Sequence, residues 1–204
     1  MPAHSHGVVD LEAHAPPFRR NPSSWTQRVP IAILAGLGTI IASYMAMFQW
    51  GLIDSVWDPI FGEGSETVLT SKTAQQMDRW LHVPDAAFGA WGYLSEAVLS
   101  LAGSTRRWQY RPWMVLIFGI DVIPLGGVSA ILVLMQGFVV GSFCFLCLIT
   151  AVISLILVWC AYDEVWASLM YLRRVWKTYH DKSLLWRTFW GFADERADAV
   201  ALVR

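Results

Sequence analysis

The sequence predicts an all-α integral membrane protein: a four-transmembrane-helix bundle with an outer lid loop and a C-terminal amphipathic helix. Three observations lead there. The 204 residues are 55% hydrophobic and only 15% charged, where an ordinary soluble domain carries about 25% charged residues. Apolar runs long enough to cross a bilayer recur at about residues 30–53, 84–102, 113–138 and 142–162. Apart from Asp85, Glu96 and Asp121, the charges lie in the segments outside them. Inside a bilayer every backbone N–H and C=O must be paired internally, which a helix achieves alone. Many of the twelve tryptophans flank the runs (Trp25, Trp50, Trp113, Trp159, Trp166), as interfacial anchors do. A net charge of -1 gives no reason to expect a nucleic acid partner.

Residues 1–28 are polar, proline-containing and irregular, and read as a disordered tail. His4 and His6 lie in this tail, and two histidines on a flexible segment do not make a metal site; no metal is expected. The first span has a small-residue face, Ala32, Ala35, Gly36, Gly38 and Ala42, suited to close helix packing. The loop 54–83 follows. Within it Val68, Leu69, Met77, Trp80 and Leu81 form an apolar face, and Ser71 is placed to cap a short helix up to Leu81. This loop is expected to fold over the mouth of the bundle. Pro84 opens the second span, and Pro124 with Gly126 and Gly127 is expected to bend the third.

Charge sets the orientation. Arg19, Arg20 and Arg28 precede the first span, Arg106, Arg107 and Arg111 join the second to the third, and Arg173, Arg174, Lys177, Lys182 and Arg187 follow the fourth. The loop 54–83 carries Asp54, Asp58, Glu63, Glu66 and Asp78 against Lys72 and Arg79. The positive-inside rule places both termini in the cytoplasm of a bacterial-type inner membrane. The loop and the start of the fourth span then face an oxidising compartment.

Two of the three cysteines, Cys144 and Cys147, open the fourth span with C-x-x-C spacing. Gly141 breaks the chain before them and Ser142 is placed to cap the helix. Residues three apart share a helix face, within reach of a disulfide. The helix N-terminus favours a thiolate, at Cys144 more than at Cys147. A redox pair at the outer surface is one reading, and two packing residues, as free cysteines often are, is the other. Cys160 lies too far along the same helix to join them and reads as packing or lipid-facing.

The chain from about Pro30 to Tyr162 resembles the vitamin K epoxide reductase family. The resemblance rests on Val68-Leu69-Thr70-Ser71 in the loop, Pro84 with Phe88-Gly89-x-x-Gly92-Tyr93-Leu94 at the second span, and Cys144-x-x-Cys147 at the fourth. It implies a four-helix bundle around a quinone, menaquinone or ubiquinone, capped by the first loop. It further implies that Cys147 faces the quinone and that Cys144 is the exchanging thiol. Ser71 stands where relatives carry a serine near the ring, and Asp85 where vertebrate relatives carry an asparagine. Ser71, Asp85 and Phe88 are thus the expected cofactor contacts, although Asp85 also reads as an N-cap of the second span. The chain departs from the family in its loop, which has no cysteine. The relay pair would fall at Ser65 and near Trp57-Asp58-Pro59. Ala151 stands where some relatives carry a tyrosine.

Glu96 and Asp121 are ionisable residues deep in the apolar runs, at similar depth, and buried acids in lipid are functional candidates by default. They read either as a proton path or as a hydrogen-bonded pair fixing register. Residues 163–204 form a cytoplasmic amphipathic and aromatic region. Val165, Trp166, Leu169, Leu172, Val175, Trp176 and Tyr179 recur at helical spacing among basic residues, as in a membrane-surface anchor; no glycine or proline separates them from the fourth span, so one continuous helix is the alternative. Trp186, Phe189, Trp190 and Phe192 offer a surface for membrane-complex partners. Two functions follow from the sequence. One is a thiol:quinone oxidoreductase served by an external thioredoxin-like protein. The other is a non-catalytic quinone- or lipid-binding or accessory subunit that has lost the relay.

Overall fold

The computed structural model describes residues 21–192 and 194–201; the tail reading for residues 1–20, with His4 and His6, lies outside them, as do the side chains of Met77, Asp78, Trp80 and Leu81. Among the described residues all regular structure is helical. Nine α-helices follow in order: α1 Trp25–Gln49, α2 Gly64–Leu69, α3 Lys72–Leu81, α4 Asp85–Leu101, α5 Arg107–Tyr110, α6 Pro112–Met135, α7 Phe145–Tyr179, α8 Lys182–Trp190 and α9 Glu195–Ala201. A π-helical turn, Gln136–Val140, extends α6. Among the described residues three helices are long and apolar enough to cross a membrane: α1, α6 with its π turn, and α7. The expected second span is α4, which has 17 residues and so reaches about 26 Å at 1.5 Å per residue.

Several expected boundaries move. The first span begins at Trp25, so Pro30 sits inside α1. The tail therefore ends earlier than residue 28: Asn21 and Ser23 are buried and hydrogen-bonded. The fourth span does not start at Ser142. Gly141 adopts a left-handed φ of 73°, Ser142 and Phe143 stay irregular, and Cys144 itself is the N-cap, its sulfur accepting the N–H of Cys147. The helix then runs 35 residues without a break, so the basic amphipathic segment continues α7 and is not a separate surface helix. Nothing in the sequence between Phe145 and Tyr179 interrupts the i→i−4 ladder. His180 ends α7 in the left-handed region, and Asp181 caps α8 by accepting the N–H groups of Ser183 and Leu184.

The main core lies between α1, α4, α6 and α7. On α1, Ile31, Ala35, Gly38, Ala42 and Met45 form a buried stripe facing α4, its most extensive neighbour. Gly36 lies off this stripe, with no atom near its Cβ position. At Gly38 the approach is closer: a Cβ would stand 2.7 Å from the Tyr93 ring, which is buried and held by its hydroxyl. Gly38→Ala should therefore cost about 1–3 kcal/mol through overpacking, read as a fall in melting temperature, whereas Gly36→Ala should leave it unchanged.

A second core packs Trp108 of α5 and Ala167, Tyr171 and Val175 of α7 against Leu184 of α8 and Ala197 and Ala201 of α9. At this end two arginines expected to act as exposed topology signals, Arg28 and Arg107, are fully buried. They satisfy the last carbonyls of α4, which have no partner within the helix. Arg28 donates to Ser100 O at 2.6 Å and Ala102 O at 2.6 Å. Arg107 donates to Ala102 O at 2.7 Å, to Leu99 O, and to both carboxylate oxygens of Glu164 at 2.6 Å. Ser23 Oγ adds a bond to Glu164 at 2.5 Å. Glu164 is thus, beside Glu96, a second acid buried on an apolar helix, and it is paired.

Candidate functional site

The turn into α7 sets the geometry of the cysteine pair. Helix starts leave their first N–H groups without intrahelical partners, and here several side chains supply them. Cys144 N–H donates to Gln136 Oε1 at 3.0 Å, Phe145 N–H to Asp58 Oδ2 at 3.3 Å, and Cys147 N–H to Cys144 Sγ at 3.1 Å. Cys144 and Cys147 are joined as a disulfide with Cα atoms 5.2 Å apart. Cys160 is not part of it; it packs half-buried against the main core. Cys144 is fully buried, so the thiol expected to be the more accessible is covered here. Cys147 is partly buried, with its sulfur 3.6 Å from Met45 Sδ.

Beneath Cys147 a cavity of about 100 Å³ runs between α1, α4, α6 and α7 and under α2 and α3. The three expected contact residues, Ser71, Asp85 and Phe88, all line it, together with Cys147. Cys144 does not. Ser71 also caps α3, its Oγ accepting the N–H of Ala74 at 3.3 Å. Asp85 is not the N-cap of α4; Pro84 holds that position. Proline has no N–H to satisfy and suits an extended entry, so Asp85 falls in the first turn, accepting from Gln49 Nε2 at 2.5 Å and from its neighbour's N–H at 2.9 Å. Val68 and Leu69 of the loop are buried against the cavity.

The polar side of the cavity contains residues that the sequence did not single out. Tyr93 Oη donates to Thr150 O at 2.7 Å and lies 2.5 Å from Ser154 Oγ, which is 3.1 Å from Ser129 Oγ. Tyr93, Ser129 and Thr150 all line the cavity. Tyr93 reaches from α4 the turn of α7 where Ala151 leaves no polar group. Its place in the Gly92-Tyr93-Leu94 motif was the available signal. Gln136 was hidden in an apolar run. Glu96 and Asp121 do not share a hydrogen bond: Asp121 accepts from Ser95 Oγ, and Glu96 Oε2 is buried without a partner. Glu96 stands on α4 and Asp121 on α6, and the serine one residue before Glu96 is the one that meets Asp121.

In the loop, Asp58 is the hub. Its Oδ1 accepts the N–H groups of Ile60 (3.1 Å) and Phe61 (2.7 Å), and its Oδ2 those of Ser65 (3.2 Å) and Phe145 and the Ser65 hydroxyl (2.7 Å). Partial burial pushes its carboxyl upward, but the bonds from Ser65, Phe61, Ile60 and Phe145 together outweigh this and hold it at about 2. Ser65 and the stretch Trp57-Asp58-Pro59 are where the resemblance implies the loop cysteines of the family, and the chain has none there.

The model of the vitamin K epoxide reductase family matches residues 29–162. The chain belongs to this family. The matched segment runs from the first turns of α1 into α7 and contains the cysteine pair, the cavity and the whole loop. No curated protein and no solved structure matches the chain. Members of the family are membrane oxidoreductases that work with quinones, so an oxidoreductase-type membrane protein is the general class here. The α8–α9 region lies beyond the match. There Trp186 stacks on Phe189, Trp190 meets both rings edge to face, and Trp190 also meets Trp113 of α6. Among the described residues no group of metal-ligating side chains assembles.

Proposed function

We propose that the chain is a membrane thiol:quinone oxidoreductase of the vitamin K epoxide reductase family whose redox centre is Cys144 and Cys147 alone. The observation that carries this reading is the position of Cys147 on the cavity that Ser71, Asp85 and Phe88 also line, with Cys144 above it on the loop side. The donor is an external thioredoxin-like thiol protein. The acceptor is a membrane quinone, menaquinone or ubiquinone, which takes up two electrons and two protons.

The residues divide the work. A donor thiolate attacks Cys144 Sγ, the Cys144–Cys147 bond breaks, and Cys147 leaves as thiolate; a second thiol of the donor releases its partner as a disulfide. The reduced pair then carries two electrons on the cavity side. The apolar walls exclude water there, and Tyr93, Ser71 and Asp85 are the polar groups that would orient a quinone. The enclosed volume is small against the ~300 Å³ at the low end of drug-sized ligand sites. A ring with a lipid tail therefore needs the loop or the α4–α6 side to move.

In this reading α4 is the second of four spans, its short length made up by Pro84 and the residues after Leu101. Both termini are cytoplasmic in a bacterial-type inner membrane. Arg106, Arg111, Arg173, Lys177, Lys182, Arg187 and Arg196 are exposed at the end opposite the disulfide, against Lys72 and Arg79 in the loop, which supports that orientation. The loop 54–83 is the outer lid, residues 29–162 are the membrane domain, and the C-terminal region meets lipid or a membrane partner through its aromatic groups. Glu96 and Asp121 lie on the cytoplasmic side of Tyr93.

A second reading has support in two observations: the loop has no cysteine, and Cys144 is buried. It makes the chain a non-catalytic quinone- or lipid-binding subunit. One experiment separates the two. The purified chain, reduced and freed of reductant, is mixed with short-tailed menaquinone and ubiquinone analogues. The expected outcome is one quinol formed per disulfide formed, with none from a Cys144→Ser/Cys147→Ser double variant. Thiols that stay reduced with both quinones would leave the binding reading standing.

A further inference from the structure

We propose that Asp58 is a positioning residue that latches the 54–83 loop onto the N-terminus of α7 and controls access to Cys144, in place of the covalent link that loop cysteines would provide. The inference rests on the proposed role of the thiol pair but not on the quinone. Three features of the structure converge on it.

The first is connectivity. Four backbone N–H groups and one hydroxyl converge on the Asp58 carboxylate. Those of Ile60, Phe61 and Ser65 belong to the loop, whereas the N–H of Phe145 belongs to the residue next to Cys144. One side chain therefore fixes the fold of residues 58–65 and ties that fold to the cysteine helix. Bonds to an ionised acceptor are roughly twice as strong as neutral ones.

The second is close packing at the same junction. A Cβ on Gly64 would stand 2.4 Å from the carbonyl oxygen of Phe143, so the start of α2 lies directly against the residue before Cys144. Phe61 packs on Phe143 and Trp57 on Phe145, with ring centroids 5.7 and 5.9 Å apart. The third is the consequence: Cys144 has no exposed surface. Exchange requires an accessible sulfur, so the junction must open before an external thiol can reach it.

The Asp58 carboxylate occupies the N-terminus of α7 through the Phe145 N–H, and while it does so Cys144 stays covered.

The test uses the full chain in lipid nanodiscs, with glutathione as the thiol probe. Reduction of the Cys144–Cys147 disulfide is followed by mass shift after alkylation. Asp58→Asn should raise the reduction rate about tenfold or more, the scale expected for loss of charge-assisted hydrogen bonds, and Ser65→Ala should raise it less. Glu63→Gln removes an exposed charge from the same loop and should leave the rate unchanged. Hydrogen exchange should show lost protection at the Phe145 amide but not in the middle of α7, which separates an open latch from an unfolded chain. If the disulfide is reduced at the outset, alkylation of Cys144 by a polar maleimide gives the same comparison. An Asp58→Asn rate equal to wild type overturns the latch, as does an equal acceleration by Glu63→Gln. Neither readout involves a quinone, so a chain that fails to reduce quinones would lose the proposed activity and keep this result.

Discussion

Cys147→Ser is expected to accumulate a mixed disulfide between Cys144 and an external thiol protein, while Cys144→Ser accumulates none. In the wild-type chain a donor joined to Cys144 is displaced either by its own second thiol or by Cys147. Removing Cys147 removes the intramolecular route and the cavity-side electron carrier together, so quinone reduction should fall to background in both variants. The asymmetry follows from the site: Cys147 lines the cavity and Cys144 does not, and Cys144 lies under the Asp58 junction. Non-reducing electrophoresis of intact membranes, followed by mass spectrometry of the adduct, reads the result. Adding Asp58→Asn to Cys147→Ser should increase the trapped fraction. A mixed disulfide on Cys147 in place of Cys144 would reverse the assigned roles, and no adduct in either variant would remove the redox function.

Arg107→Met is expected to be the most destabilising single change in the described chain. It would leave Glu164, 2% exposed in its side chain, buried without its ion partner. It would also strip Ala102 O and Leu99 O of a donor at the end of α4. Breaking a buried pair from one side costs about 3–5 kcal/mol, a drop of roughly 10 °C in melting temperature for a chain of this size. The double variant Arg107→Met/Glu164→Leu should recover much of the loss, because replacing both partners with apolar groups leaves no stranded charge. Thermal unfolding in detergent measures both. A single variant as stable as wild type would mean that Arg107 contributes as one cation among many, as its sequence neighbours Arg106 and Arg111 suggest.

The sequence by itself determined the helical membrane class and the family, which are carried by local patterns. Apolar runs without breakers dictate helices in lipid. Ser71, Asp85, Phe88 and Cys147 were implied by the family resemblance, and the structure puts all four on one cavity. What sequence could not supply was the partner of each polar group. Arg28 and Arg107 looked like the other basic residues of the connections, yet they are buried, because the end of α4 leaves carbonyls that only their long, multidentate side chains reach. Gln136 sat unremarked in an apolar run, and it is the group that receives the Cys144 N–H. The cap of α7 lies two residues beyond the expected Ser142, at Cys144, for the same reason. Ser142 is the better cap by residue type, but Asp58, 87 positions away, and Gln136 supply the acceptors at Cys144 and Phe145, so the helix begins where those acceptors stand. Hydrogen bonds between residues far apart in the chain leave no periodic trace in it. Only the tertiary structure decided that Cys144, the sulfur at the N-cap of α7, is the one that is covered.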